Sequence, residues 1–170
     1  MDSNVSSNQP PITQEREYEV IKLEKTKKVC GLCEEYSSSK SEEPELIAVL
    51  SCEGACLRGE VSRRVANKIC FEELKGISAR VCLGGAFTKD TGQRNMVRSA
   101  KKVIALEGCY IECASRMMRA VIPDLKPEII FVDKYYEFDK KLFALNDVSE
   151  NELAIFSEQA TKKIINLIHE

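Results

Sequence analysis

Short apolar segments alternate with helix-like patterns along the chain from residue 45 onward. Unbroken apolar runs of four to eight residues are typical of strands that are buried on both faces. Between these runs, apolar residues recur every three to four positions, the spacing that gives a helix one apolar face. The predicted strands are 46–50, 79–85, 102–106 and 128–132.

This alternation of strand and helix predicts the fold class. Strands that alternate with helices form a parallel sheet covered by helices, so we expect an α/β domain with a Rossmann-like three-layer arrangement. The sheet should be mainly parallel, with about four to five strands and helices on both faces. The last segment predicts a long C-terminal helix, because Ser149 and Glu152 have the spacing of a capping box. One face of that helix is apolar and consists of Leu153, Phe156, Ala160, Ile164 and Ile168. We expect this face to pack onto the sheet, and a homodimer through the same face is the alternative.

The chain before residue 45 has a different composition. Residues 1–16 are rich in Ser, Asn, Pro and Gln and predict a disordered tail. Residues 17–44 predict an arm that carries a Cys-x-x-Cys pair and continues into a polar linker closed by Pro44. Residues 45–170 form the predicted α/β domain.

Length and charge exclude several classes of protein. A chain of 170 residues is long enough to bury one core without disulfides, and its net charge of −2 provides no basic excess for nucleic acid. No apolar run approaches the roughly 18 residues that cross a membrane. The first residues lack the basic start and apolar core of a signal peptide, so we expect a cytoplasmic protein.

The chain has eight cysteines but a single histidine. In a reducing compartment such a set points to metal binding or redox chemistry, not to a disulfide framework. Parallel strands bind ligands beyond their carboxyl ends, and cysteines follow or end three of the predicted strands. Four thiolates complete a tetrahedral zinc site, and an iron–sulfur cluster is the alternative. The predicted metal ligands are Cys52, Cys82, Cys109 and Cys113.

The remaining cysteines divide into three groups. Cys56 lies next to the predicted site and is a further candidate ligand. Cys30 and Cys33 have the spacing of both zinc knuckles and redox dithiols, so they are further ligands, a second metal site or a redox pair. Cys70 lies between apolar residues on a predicted helix, and we expect it in the core.

Three segments contain these cysteines: Cys52-Glu-Gly54, Val81-Cys82-Leu83 and residues 104–114 (IALEGCYIECA). They resemble the DGC-domain family, which is described by an expected zinc site and not by a reaction. The resemblance covers about residues 46–141 and implies metal binding through the four predicted ligands.

One position departs from the pattern that names the family, since Glu107 replaces its Asp. A carboxylate at this position, and Asp133 after the last strand, are candidates for supporting a metal ligand or for proton transfer.

A second interpretation is an enzyme of the cysteine phosphatase or arsenate reductase type. Cys52 and Arg58 are separated by five residues between a strand and a helix, where a thiolate and an arginine hold an oxyanion. Glu53 and Glu60 bring negative charge to that loop, and Gly59 stands where a Ser or Thr usually follows the Arg. The cysteines are also compatible with a thiol redox protein and with a non-catalytic metal-binding module, and the sequence indicates no substrate.

Overall fold

The computed structural model describes residues 17–169, and in this part of the chain four parallel strands form one sheet. The predicted tail 1–16 lies outside the described residues. The sheet has the order β2-β1-β3-β4, so β1 and β3 are central. In register, Val49 of β1 lies opposite Arg80 of β2 and Ile104 of β3. The strands are β1 Ile47–Ser51, β2 Ser78–Arg80, β3 Lys102–Glu107 and β4 Glu128–Phe131.

Helices cover both faces of this sheet, as the alternating pattern predicts, and the α/β fold class is confirmed. The α-helices of the described residues are α1 Gly31–Ser41, α2 Leu57–Lys68, α3 Leu83–Thr88, α4 Gly92–Ser99, α5 Cys113–Val121 and α6 Glu150–His169. Shorter turns of helix occupy Ile69–Glu73, Val132–Lys134 and Leu145–Asp147.

Two apolar cores lie on opposite faces because successive strand residues point in opposite directions. Val49 packs in the core beneath α2 and α6, whereas Leu50 packs in the core beneath α3, α4 and α5. The long C-terminal helix is confirmed, and its capping box forms between Ser149 and Glu152. Its apolar face packs into the first core, with Ile164 fully buried.

The second strand is shorter than predicted, because it ends at Arg80 and the chain from Leu83 onward is helical. The backbone N–H of Cys82 donates to the Gln93 side chain (2.9 Å) instead of extending the sheet. Cys82 is exposed and lies beyond the strand, so it is not a core residue inside β2.

The polar stretch predicted as a linker contains helix α1, and this expectation was wrong for residues 34–41. The helix is attached by side-chain hydrogen bonds. Glu34 accepts the Gly92 N–H (2.9 Å), and the Tyr36 hydroxyl accepts the Arg80 N–H (3.0 Å). These bonds compensate for a helix that buries little apolar surface, which is why hydrophobic patterning does not reveal it. The division of the chain into domains stays a prediction.

Candidate functional site

Cysteines follow three neighbouring strands at the carboxyl edge of the sheet. Cys52 comes directly after β1, Cys82 lies two residues after β2, and Cys109 lies two residues after β3. Cys113 is the first residue of α5, the helix that follows β3. Since β2, β1 and β3 are adjacent in the sheet, the four predicted ligands share one edge, with Cys52 in the middle.

The backbone segments after β1 and β3 pack directly against each other at Gly108, and the segment after β1 packs closely on itself at Gly59. A Cβ atom on Gly108 would lie 2.8 Å from the Arg58 carbonyl oxygen, and one on Gly59 would lie 2.6 Å from the Gly54 nitrogen. Real Cβ atoms do not approach backbone this closely, so glycine is required at both positions. This close packing holds the two cysteine-bearing loops at a defined distance.

Cys52 is buried, and its sulfur faces the backbone N–H groups of Gly54 and Gly108. Burial raises the pKa of its thiol, because the charged form loses its hydration, while the two N–H groups act in the opposite direction. Electrostatic interaction with the nearby Cys113 and Glu107 side chains raises the pKa further. Cys52 is therefore a protonated thiol in this environment unless a nearby positive charge stabilises the thiolate.

Cys56 lies close to Cys52. Both sulfurs are within 4 Å of the position that a Cβ atom on Gly54 would take. Cys56 is half-buried and comes directly before α2. It is therefore adjacent to the predicted site, as its place in the sequence suggested.

Glu107 is completely buried at the end of β3. Its carboxylate accepts the backbone N–H of Ser115 (2.7 Å) and that of Ala114 (3.2 Å). These are N–H groups in the first turn of α5, which have no partner inside the helix. Glu107 therefore caps α5 and sets the position of Cys113, a role that the sequence pattern did not indicate.

Arg58 points away from the loop in which the oxyanion interpretation needs it. Its guanidinium donates to the carbonyls of Lys140 (3.0 Å) and Leu142 (3.4 Å), and its Nε lies 3.6 Å from the Asp133 carboxylate. It also stacks over the Phe138 ring at 4.9 Å. Asp133 is thus an ion-pair partner of Arg58, and the raised pKa of the buried thiol likewise disfavours a phosphatase-like nucleophile.

A second group of thiols lies where α1 meets the end of β2. The thiols of Cys30 and Cys33 are close enough for each to shift the pKa of the other, and Cys82 is close enough for its charge to act on Cys33. Gln93 connects the two segments, because its Oε1 accepts the Cys82 N–H and its Nε2 donates to Ser37 Oγ (2.8 Å). The Ser37 hydroxyl in turn donates to the Cys33 carbonyl (2.6 Å).

The two thiols of the Cys-x-x-Cys pair have opposite pKa shifts. The pKa of Cys30 is lowered, first by the backbone N–H of Cys33 and then by the Cys33 thiol. The pKa of Cys33 is raised, first by the neighbouring Cys30 thiol and then by burial. Cys30 is exposed and Cys33 half-buried, so Cys30 is the more reactive thiol of the two.

Sequence reasoning missed Gln93 and Ser37, which hold the second thiol group together. A signal for Gln93 exists, since it stands one turn before the buried pair Met96 and Val97 on the same face of α4. Nothing in the pattern marks Ser37, which lies among three consecutive serines.

Cys70 is a core residue, as predicted, with 3% of its surface exposed. Burial raises the pKa of its thiol to about 11. Within residues 17–169, no three side chains of Cys, His, Asp or Glu are grouped as a metal site requires. None of the helices in these residues is long and apolar enough to cross a membrane.

Fold and site together define a class: an α/β domain whose parallel strands end in cysteines at one edge. The model of the DGC domain family matches residues 48–159, which is more than half of the chain. The protein therefore belongs to the DGC domain family, as its three cysteine segments indicated. A search of curated proteins found no match, and a search of solved structures found none either.

Proposed function

We propose that this DGC-domain protein binds a zinc ion through the thiolates of Cys52, Cys82, Cys109 and Cys113. The observation that carries the proposal is the placement of these residues. Three adjacent parallel strands each deliver a cysteine to the edge where α/β proteins bind their ligands. All four lie within the residues matched by the family model.

The donor chemistry of this edge fits a soft metal ion. Thiolates are the preferred ligands of zinc and of iron–sulfur clusters, and the single histidine of the chain is His169, far along α6. Cys52 is buried and loses its proton at a high cost when it is alone. A bound cation offsets that cost, and the Gly54 and Gly108 N–H groups already face the sulfur.

Three of the four thiols at this edge are accessible to solvent. Cys82 and Cys113 are exposed, and Cys109 is partly exposed. Because the described residues hold no closed group of ligands, metal binding would require these side chains to turn toward Cys52. Bound zinc would supply a cross-link between the ends of β1, β2 and β3 and the start of α5. No reaction or substrate is proposed.

Elemental analysis of anaerobically purified protein, together with its absorption spectrum, tests this proposal. We expect one zinc ion per chain and no visible absorption. Stoichiometric iron and sulfide would show that the protein binds an iron–sulfur cluster instead of zinc. Protein that contains no metal and takes up none from added zinc would refute the proposal.

A pair of cysteine variants tests which thiols bind the metal. Cys109→Ser should lose most of the bound metal, because one of four ligands is removed. Cys70→Ala is the matched control, since this cysteine is buried in the core away from the edge. Equal metal contents in the two variants would exclude Cys109 from the site.

A further inference from the structure

We propose that Cys30 and Cys33 form a redox-active dithiol that undergoes exchange with disulfides of small thiol compounds. The pair lies outside residues 48–159, so the family match does not include it. The proposal goes beyond metal binding and uses none of the four thiols assigned to the metal.

The first argument is the position of the two thiols at the start of α1. Cys30 immediately precedes α1 and has an extended backbone, and Cys33 lies in the first turn of that helix. The two thiols are close enough for each to shift the pKa of the other. A disulfide requires Cβ atoms about 4 Å apart and a suitable torsion angle, and Cys-x-x-Cys pairs at a helix start form such bonds.

The second argument is that the sulfur of Cys30 lies at a position that stabilises a thiolate. Cys30 is the residue directly before α1, where the first backbone N–H groups of the helix lie. Such N–H groups stabilise a thiolate because they have no partner inside the helix. Cys30 is also exposed, whereas Cys33 is partly covered. Cys30 is therefore the attacking thiol and Cys33 the resolving thiol.

The third argument is that hydrogen bonds hold α1, which carries the pair, in place beside a cleft. Glu34 and Ser37 attach α1 to α4 through the Gly92 N–H and the Gln93 side chain. A surface cleft of about 660 Å³ opens next to the pair, and Cys33 contributes to its lining. This space allows a disulfide compound to approach Cys33 without unfolding α1, and Cys30 is exposed to solvent.

The exchange is balanced with a disulfide such as oxidised glutathione as the oxidant. The Cys30 thiolate attacks one sulfur of the glutathione disulfide, its S–S bond breaks, and the first glutathione leaves as a thiolate. Cys33 then loses its proton and attacks the Cys30 sulfur of the mixed disulfide. The second glutathione leaves with the electron pair of that bond. The protein has lost two electrons and two protons, and two glutathione thiols have gained them.

Incubation of the full-length protein in buffers of reduced and oxidised glutathione tests the proposal. Free thiols are then blocked by alkylation, and the disulfides are located by peptide mass analysis. We expect a disulfide between Cys30 and Cys33 that forms with increasing oxidised glutathione and disappears when the ratio is reversed.

Two single variants separate the roles of the thiols. Cys33→Ser should retain one glutathione on Cys30, because the resolving thiol is missing. Cys30→Ser should take up much less glutathione at position 33. Cys70→Ala is the control and should form the disulfide like the unmodified protein, since Cys70 is buried in the core.

Three results would overturn the proposal. These are the absence of the disulfide at every glutathione ratio, equal glutathione uptake by the two single variants, and a disulfide that joins Cys33 to Cys82 instead. The metal content of each sample is measured in parallel. If the protein contains no metal but forms the disulfide, only the zinc proposal is contradicted. If it contains metal but does not form the disulfide, only the dithiol proposal is contradicted.

Discussion

The buried carboxylate of Glu107 offers the sharpest test of how the cysteine edge is built. It accepts two backbone N–H groups in the first turn of α5, from Ala114 and Ser115. The substitution Glu107→Gln keeps the size and shape of the side chain. It removes the negative charge, and it turns an amide NH₂ group toward one of the two N–H donors.

The magnitude of the effect follows from these two contacts. A hydrogen bond to a charged group contributes about 1.5–3 kcal/mol, and one such bond is lost in the variant. The interaction of a negative charge with a helix N-terminus contributes about 0.3–1 kcal/mol at an exposed site and more at a buried one. Because Glu107 is completely buried, we expect Glu107→Gln to lower the free energy of unfolding by about 2–4 kcal/mol.

Urea unfolding followed by circular dichroism measures this difference. The matched control is Glu137→Gln, the same change at an exposed carboxylate, which should stay within about 0.5 kcal/mol of the unmodified protein. Hydrogen exchange provides a local measurement, since the amides of Ala114 and Ser115 should lose protection in Glu107→Gln. If that variant is as stable as the control, Glu107 does not cap α5 and the explanation for the position of Cys113 is wrong.

Three further predictions concern packing and ionisation. Gly108→Ala should lower the free energy of unfolding, measured in urea, by about 1–3 kcal/mol, because its Cβ would meet the Arg58 carbonyl at 2.8 Å. The control Gly84→Ala lies in open space on α3 and should leave the free energy of unfolding unchanged or raise it by up to about 1 kcal/mol. Equal losses in the two variants would contradict the packing argument. Tyr136→Phe should raise the melting temperature and increase the free energy of unfolding by about 1 kcal/mol, since the buried Tyr136 hydroxyl has no hydrogen-bond partner among the described residues. A clear loss of stability in this variant would show that the hydroxyl has a partner. Cys70 binds its proton more tightly in the folded protein, where its pKa is about 11 instead of 9.0, so its contribution is complete below pH 9 and is lost as the pH rises toward 11. Unfolding measured across that range should show a decline of about 2–3 kcal/mol that is missing in Cys70→Ala, and parallel curves for the two proteins would contradict the assignment.

Much of the fold was predictable because burial leaves a regular pattern in the sequence. The strand at 46–50 is an unbroken apolar run since both of its faces are covered by helices. The helix after Ser149 has both a capping box and an apolar face, and both are present in the structure. By contrast, α1 is held by polar contacts of Glu34 and Ser37, and such contacts have no period that a sequence pattern shows.

The sequence by itself determined the fold class, the family and the edge of the sheet to which the cysteines belong. These follow from local order, because a residue after a parallel strand must lie at the carboxyl edge. Only the tertiary structure decided how the thiols are grouped, with Cys82 beside Cys33 and Cys113 near Cys52. It also decided that Arg58 donates to the carbonyl of Lys140 and that Glu107 accepts an N–H group at the start of α5. The physical reason is that these contacts join residues far apart in the chain, and hydrogen-bond geometry selects among partners that the sequence leaves equivalent.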